Sequence, residues 1–261
     1  MVADSLELLR DLLLETQAEL QQHLSLLLSL FRSLPAFTQY VLAVNLAVYL
    51  LWKLSPSLAT RHFTSSSLSL TGRRLHTLVT SAFSHRSVAD LVFNVYWFAK
   101  MLPALRSVLG DSLLGPTLLL SALVSSLFPL LTDGLTRVLH RGHTLNKQSQ
   151  AMRSYSGMVG VNIALLYLSL SLQPDLVFSL DSDFFERDFP LQTVFGAAMA
   201  FDLLGLLVDM FVIPSAQSIS HASHVGGLLA GMLIQYLFCE TQWGRGQLRW
   251  NNRYAMCKRL W

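Results

Sequence analysis

The residues in this chain that could do chemistry sit in four short groups. Ser154-Tyr155-Ser156-Gly157 is one, and His221 and His224, three apart and followed by Gly226 and Gly227, are another. Asp90 and Asn94 are four apart, one helical turn; Asp202 and Asp209 are seven apart, two turns, so each pair shares a helix face. A serine hydroxyl becomes a nucleophile when a base within hydrogen-bond reach takes its proton. Ser156 and His224 could be that pair, provided the segments carrying them touch. An amide such as that of Asn94 can donate to a developing oxyanion. His221 and His224 with Asp202 or Asp209 also have the residue types of a metal site. The two aspartates could instead be a proton relay or a hydrogen-bonded structural pair.

All four groups lie in or beside long apolar stretches. The chain has 261 residues, of which 52% are hydrophobic and only 13% charged. A soluble domain carries about a quarter charged residues, so most of this surface is expected to face lipid. Scanning for stretches near 20 residues gives about six spans, at about residues 36–52, 87–102, 113–131, 156–172, 191–213 and 222–238. Their lengths favour helices over barrel strands, which run to about ten alternating residues. The expected fold is an all-α polytopic membrane protein. Polar residues inside such spans are costly and mark candidate functional sites. Gly157, Gly160, Gly227 and Gly231 would let the fourth and sixth spans approach closely, as Ser156 and His224 require.

A basic connector (Arg137, His140, Arg141, His143, Lys147, Arg153) follows the third span. An acidic one (Asp175, Asp181, Asp183, Glu186, Asp188) separates the fourth from the fifth. Residues 1–34 form an amphipathic helix ended by Pro35. Leu6, Leu9, Leu13, Leu20, Leu24, Leu27 and Phe31 share one arc, and Glu7, Asp11, Glu15 and Gln22 the other. Asp4 with Glu7 has the spacing of a capping box. The polar face is acidic, whereas helices lying on membranes are usually basic there, so this helix is expected to pack on protein. The organisation is thus residues 1–34, a membrane domain over 35–239, and a basic aromatic tail over 240–261. Cys239 and Cys257 have neither disulfide-framework nor metal-ligand spacing. There is no phosphate-binding loop and no aromatic-basic stripe for nucleic acid. Lys and Arg divide almost evenly between the two sides, leaving the orientation open.

Taken together, Ser-Tyr-Ser-Gly (154–157), His-Ala-Ser-His-Val-Gly-Gly (221–227) and Ser-His-Arg-Ser (84–87) with Asn94 resemble the rhomboid intramembrane serine proteases. The paired histidines and Asp202 resemble the mitochondrial presenilin-associated rhomboid-like branch in particular. So do Arg61-His62-Phe63-Thr64-Ser65 and Asn94-Val95-Tyr96. The resemblance covers about residues 36–245 and implies the rhomboid fold, six transmembrane helices after the N-terminal helix. It implies Ser156 as nucleophile, His224 as general base and acid, and Asn94 as oxyanion donor, with Asp90 a second candidate. Neither cofactor nor metal is implied. Partners would be membrane lipids and transmembrane protein substrates, and the location the mitochondrial inner membrane. Three positions depart from the family pattern: Ser154 replaces a glycine, Asp90 a histidine, and Gly160 an aromatic residue. The alternative expectation is therefore a silent rhomboid-fold subunit or membrane-protein handling factor in an inner-membrane complex.

Overall fold

The computed structural model describes residues 2–139, 154–172, 177–182, 185–211 and 221–240. The basic connector from His140 to Arg153, Asp175 and Asp183, and the tail beyond Glu240 lie outside the described residues. The chain divides into two compact units, residues 1–44 and 45–261.

In the first unit, α1 runs Val2–Ser33. The helix begins at Val2, so Asp4 lies within its first turn rather than before it. Proline cannot continue the helical ladder, and Pro35 instead opens the next helix, its carbonyl accepting from Gln39 N–H at 3.0 Å. Leu20, Leu24 and Leu27 of the apolar arc are exposed.

Helix α2, Ala36–Leu54, carries the chain into the second unit. Short helices α3 (Pro56–Phe63), α4 (Ser67–Thr71) and α5 (Thr77–Thr80) and a 3-10 turn at Ser81–Phe83 form the first connection. Two long helices follow: α6 (Val88–Leu109) and α7 (Asp111–Leu139). The turn between them uses Gly110 at φ 73, a conformation that glycine adopts without a Cβ penalty. Arg106 spans the same turn to both carboxylate oxygens of Asp111. Then come α8 (Val159–Leu172), strands β1 (Val177–Ser182) and β2 (Phe185–Pro190), α9 (Leu191–Phe211) and α10 (His221–Gln235). A π-type turn, Tyr236–Glu240, extends the last helix.

This is a membrane-spanning helical bundle. Four described helices are long and apolar enough to cross a membrane, Ala36–Leu54, Val88–Ser107, Asp111–Leu139 and Leu191–Phe211, with a shorter apolar helix at Val159–Ser171. Helix α9 shows why lipid must surround it. Asp202, Leu206 and Met210 are its only buried residues and make a single stripe, while Phe201, Leu203, Leu204 and Phe211 are exposed. Water would penalise that surface heavily; hydrocarbon does not. The buried stripe packs on Ala222 and Val225 of α10, with Phe128 of α7 alongside. Helix α10 lies mainly against α7 and α8 and is the bundle's centre.

Three features differ from the sequence reading. Helix α7 extends about two turns beyond the apolar run, because Asp133, Thr136 and Arg137 face protein and interrupt the hydropathy without interrupting the helix. The acidic connector is not irregular: it holds an antiparallel hairpin, Val177 pairing with Pro190 and Ser182 with Phe185. The described sixth helix, at 15 residues before its π-type turn, is shorter than the apolar run from which it was expected.

Candidate functional site at the fourth, fifth and sixth apolar segments

Ser156 stands in an extended segment just before α8, and its neighbours are pinned on both sides. Ser65 and Tyr155 exchange backbone bonds, Ser65 N–H to Tyr155 O at 2.9 Å and Tyr155 N–H to Ser65 O at 2.8 Å. The Tyr155 hydroxyl donates to buried Asp133 at 2.8 Å. Gly157 N–H donates to the Ser81 carbonyl at 2.9 Å. Gly157 has φ +109, which a side chain would strain. This glycine therefore serves the turn beside Ser156, not helix packing, since its missing Cβ would only touch Ser84 O at 3.9 Å. Ser154 is exposed and accepts from Arg86 at 3.3 Å. Ser156 is itself exposed.

The other glycines do bring helices together. A Cβ on Gly160 would lie 2.5 Å from Ser125 Cβ and 2.8 Å from the Ser223 carbonyl oxygen. One on Gly231 would lie 2.8 Å from the Tyr167 ring. The fourth and sixth apolar segments therefore touch, as the small residues predict. The same contact explains Gly160 as a departure: there is no room for any side chain, still less an aromatic one.

His224 is in the first turn of α10. Its Nδ1 donates to Asp202 Oδ1 at 2.9 Å, and His221 Nδ1 reaches the same oxygen at 2.7 Å. Asp202 is 5% exposed. A carboxylate holding Nδ1–H fixes the tautomer and leaves Nε2 as the proton acceptor. His221 lies over Gly205, where a Cβ would come within 2.6 Å of its ring, and edge-on to Phe201. The carboxylate in contact with both histidines is Asp202. Among the described residues, no group of three or more His, Cys, Asp and Glu is placed to hold a metal ion. Among them, too, no hydrogen bond joins Ser156 to His224; the two stand at the start of touching segments.

The second-span residues are bound to one another. Ser87 caps α6, its hydroxyl accepting from Asp90 N–H at 3.1 Å. The Asp90 carboxylate accepts from His85 Nδ1 at 2.9 Å and Asn94 Nδ2 at 2.8 Å. Asn94 Nδ2 also donates to the Asp90 carbonyl at 2.9 Å. Asn162 of α8 donates to Asn94 Oδ1 and O, both at 3.0 Å. His85 is fully buried, its other nitrogen facing Asn45 Oδ1 at 3.0 Å. Both N–H groups of the Asn94 amide are thus spent on Asp90 in this state.

Asn45, Asn162 and Asp133 were not singled out from the sequence, although all are polar residues inside helices of apolar sequence. That signal is available for Asn45 and Asn162, which sit among apolar residues; Asp133 lies just past the end of the expected third span.

Compared with known families, residues 72–241 match the rhomboid domain. The chain belongs to the rhomboid family. That match spans the second-span network, the Ser156 segment and α10, so the rhomboid frame is the one holding the site. A search of curated proteins gives no match.

Proposed function

We propose that this rhomboid-family protein is an intramembrane serine endopeptidase in which Ser156 attacks a transmembrane substrate and His224 is the base. The observation carrying this reading is the Asp202–His224 contact, which directs Nδ1 into the protein and leaves Nε2 as acceptor. The Ser156 oxygen would bond to the scissile carbonyl carbon, its proton passing to His224 Nε2. Collapse of that adduct would return the proton to the leaving amine, and water would then release the acyl group from Ser156. A water path to Ser156 is required, and its exposure accords with one. Apo serine–histidine contacts are often loose and tighten with substrate, consistent with the absence of a Ser156–His224 bond among the described residues. The test is labelling by a serine-reactive fluorophosphonate and cleavage of a generic rhomboid substrate. Both should be lost in Ser156→Ala and in His224→Ala; labelling that persists in Ser156→Ala refutes the assignment.

A second reading has its own observation. With the Asn94 amide committed to Asp90, and Asp90 accepting hydrogen bonds, neither donates to an oxyanion. A rhomboid-fold protein that binds transmembrane helices without cleaving them, as a subunit or handling factor of an inner-membrane complex, fits that network.

The wider assignment belongs to the same proposal. The membrane domain over 35–239 has six spans, the sixth made by α10 with its π-type turn. The presenilin-associated rhomboid-like branch and a mitochondrial inner-membrane location rest on the paired histidines with Asp202. Residues 1–34 form a separate amphipathic helix that docks on protein, and 240–261 a basic tail. Removal of residues 1–33 should leave the membrane domain folded while releasing a partner from detergent extracts; unchanged co-purification counts against the docking role.

A further inference from the structure

The first connection, from Leu54 to Ala89, contains Arg61, His62, Arg73, Arg74, His76, His85 and Arg86 and not one Asp or Glu. Several of these side chains are used internally. Arg74 donates to the carbonyls of Arg61 and Leu68 and so staples α3 to α4. Arg86 stacks on Trp52 at 4.7 Å. His62 and His76 stack on each other and share a hydrogen bond of 3.1 Å. Arg61 and Arg73 remain: both are exposed, and their guanidinium groups bond to no described residue.

Arg73 is also the only described non-glycine residue with positive φ, at 56. That conformation is uncommon for a side chain of its kind, and residues held so cluster at functional positions. Gly72, which would adopt it without strain, stands one position earlier at φ −78. The turn thus projects an arginine where glycine would fold more easily.

The level of the membrane surface can be read from the adjoining helix. Tyr49, Trp52 and Lys53 close α2, with Lys53 over the Tyr49 ring at 5.0 Å, and aromatic rings of this kind mark the headgroup layer. The connection begins one residue later. Among its cations it exposes Leu58, Leu68 and Leu75, at 46%, 52% and 62%. Exposed leucines interleaved with arginines whose guanidinium groups bond to no described residue suit the boundary between acyl chains and anionic headgroups. A soluble acidic partner would account for the charge but not for the leucines.

We infer that α3–α5 form a surface that selects anionic phospholipid headgroups, with Arg61 and Arg73 each offered to headgroup phosphates and Leu58, Leu68 and Leu75 entering the acyl boundary. This does not depend on catalysis.

The test uses the full chain in neutral detergent micelles carrying trace dansyl-phosphatidylglycerol or dansyl-phosphatidylcholine, read by energy transfer from tryptophan. The expected result is a preference for phosphatidylglycerol of about tenfold or more, from two cations at an anionic surface. Arg61→Gln with Arg73→Gln should bring that ratio close to one. The paired Lys substitutions, and Lys100→Gln on α6, should preserve it. Equal transfer from both lipids in the wild type, or an unchanged ratio in the Gln pair, overturns the inference. Should the Gln pair not fold, wild type alone decides: added salt should erase the preference, and a preference that persists overturns the inference. Inorganic phosphate displacing the probe beyond chloride at equal ionic strength would reassign the surface to soluble anions. Displacement by oligoglutamate at equal ionic strength would reassign it to an acidic protein segment.

Discussion

Gly160 and Gly227 stand backbone to backbone: a Cβ on Gly227 would come within 2.2 Å of the Gly160 carbonyl oxygen. No rotamer relieves a clash with backbone, so the helices would have to separate. Gly227→Ala should therefore destabilise the bundle by about 1–3 kcal/mol, the usual cost of overpacking, and move His224 away from the Ser156 segment. Gly196→Ala on α9, with nothing within 4 Å of the added carbon, is the matched control. Thermal unfolding in detergent measures both, and equal midpoints for the two variants would remove the packing argument.

Tyr155 joins the Ser156 segment to α7 through Asp133, a carboxylate 6% exposed. Tyr155→Phe deletes that hydroxyl and keeps the ring. A hydrogen bond contributes about 0.5–1.5 kcal/mol net, and about 1.5–3 when its partner is charged, so a loss of about 1–3 kcal/mol is expected in detergent unfolding. Because the backbone pairing of Tyr155 with Ser65 is unaffected, the fold should survive. Proteolytic nicking beside Tyr155 should quicken; an unchanged rate would mean that the backbone bonds of Tyr155 to Ser65 and of Gly157 to Ser81 hold the segment without the hydroxyl.

Asp202 tests the proposed base directly. Asp202→Asn keeps the shape but removes the charge and offers an N–H that can turn His224 into the wrong tautomer. In serine hydrolases the equivalent change lowers turnover by about 10⁴, and a fall of about 10²–10⁴ in fluorophosphonate labelling is expected here. Gly205→Ala is informative beside it. Its new carbon would strike the His221 ring while leaving the Asp202–His224 contact in place, so a much smaller fall would assign orientation of the base to Asp202 alone. Full labelling of Asp202→Asn would show that His224 needs no such partner.

Much of this was legible in the sequence, for reasons that differ by residue. Gly160 and Gly227 were readable because close packing in lipid has a simple signature, small residues on both helices. The family was readable because short motifs fell in order on separate spans, and the match to residues 72–241 supports that at the family level. Asp202 was visible as a costly intramembrane charge and was grouped with His221 and His224 by residue type, but the geometry of their contact was not readable. Bringing His221 and His224 onto one oxygen depends on how α9 and α10 cross, which spacing within each helix does not encode. Asn162 escaped because a lone amide in an apolar run looks the same whether it faces lipid or Asn94. The length of α7 escaped because buried polar residues lower hydropathy without ending a helix. The hairpin at 177–190 lay in a stretch whose acidic residues suggested only a solvated connector.

Asp90 is the residue on which the choice between cleaving and merely binding turns. A tetrahedral adduct at Ser156 carries a negative oxygen, and the resemblance assigns its stabilisation to Asn94, with Asp90 as a second candidate. As observed, the Asp90 carboxylate takes a hydrogen bond from His85 and another from Asn94, so it withholds the amide it should assist. Losing one oxyanion donor costs about 10²–10³ in rate. Asp90→His removes the acceptor holding the Asn94 side chain and adds an N–H donor. Ser154→Gly opens the backbone beside Ser156. The double variant should therefore raise fluorophosphonate labelling or substrate cleavage by about 10²-fold or more over wild type, and Ser156→Ala placed in the same background should abolish the gain. Asn162→Ala, which removes the amide donating to Asn94 Oδ1, should blunt it, since Asn94 would then lose its orientation. If wild type and double variant are both silent beside an active rhomboid protease, the Asp90–Asn94 pair belongs to a helix-binding scaffold, and the non-cleaving reading replaces the protease one.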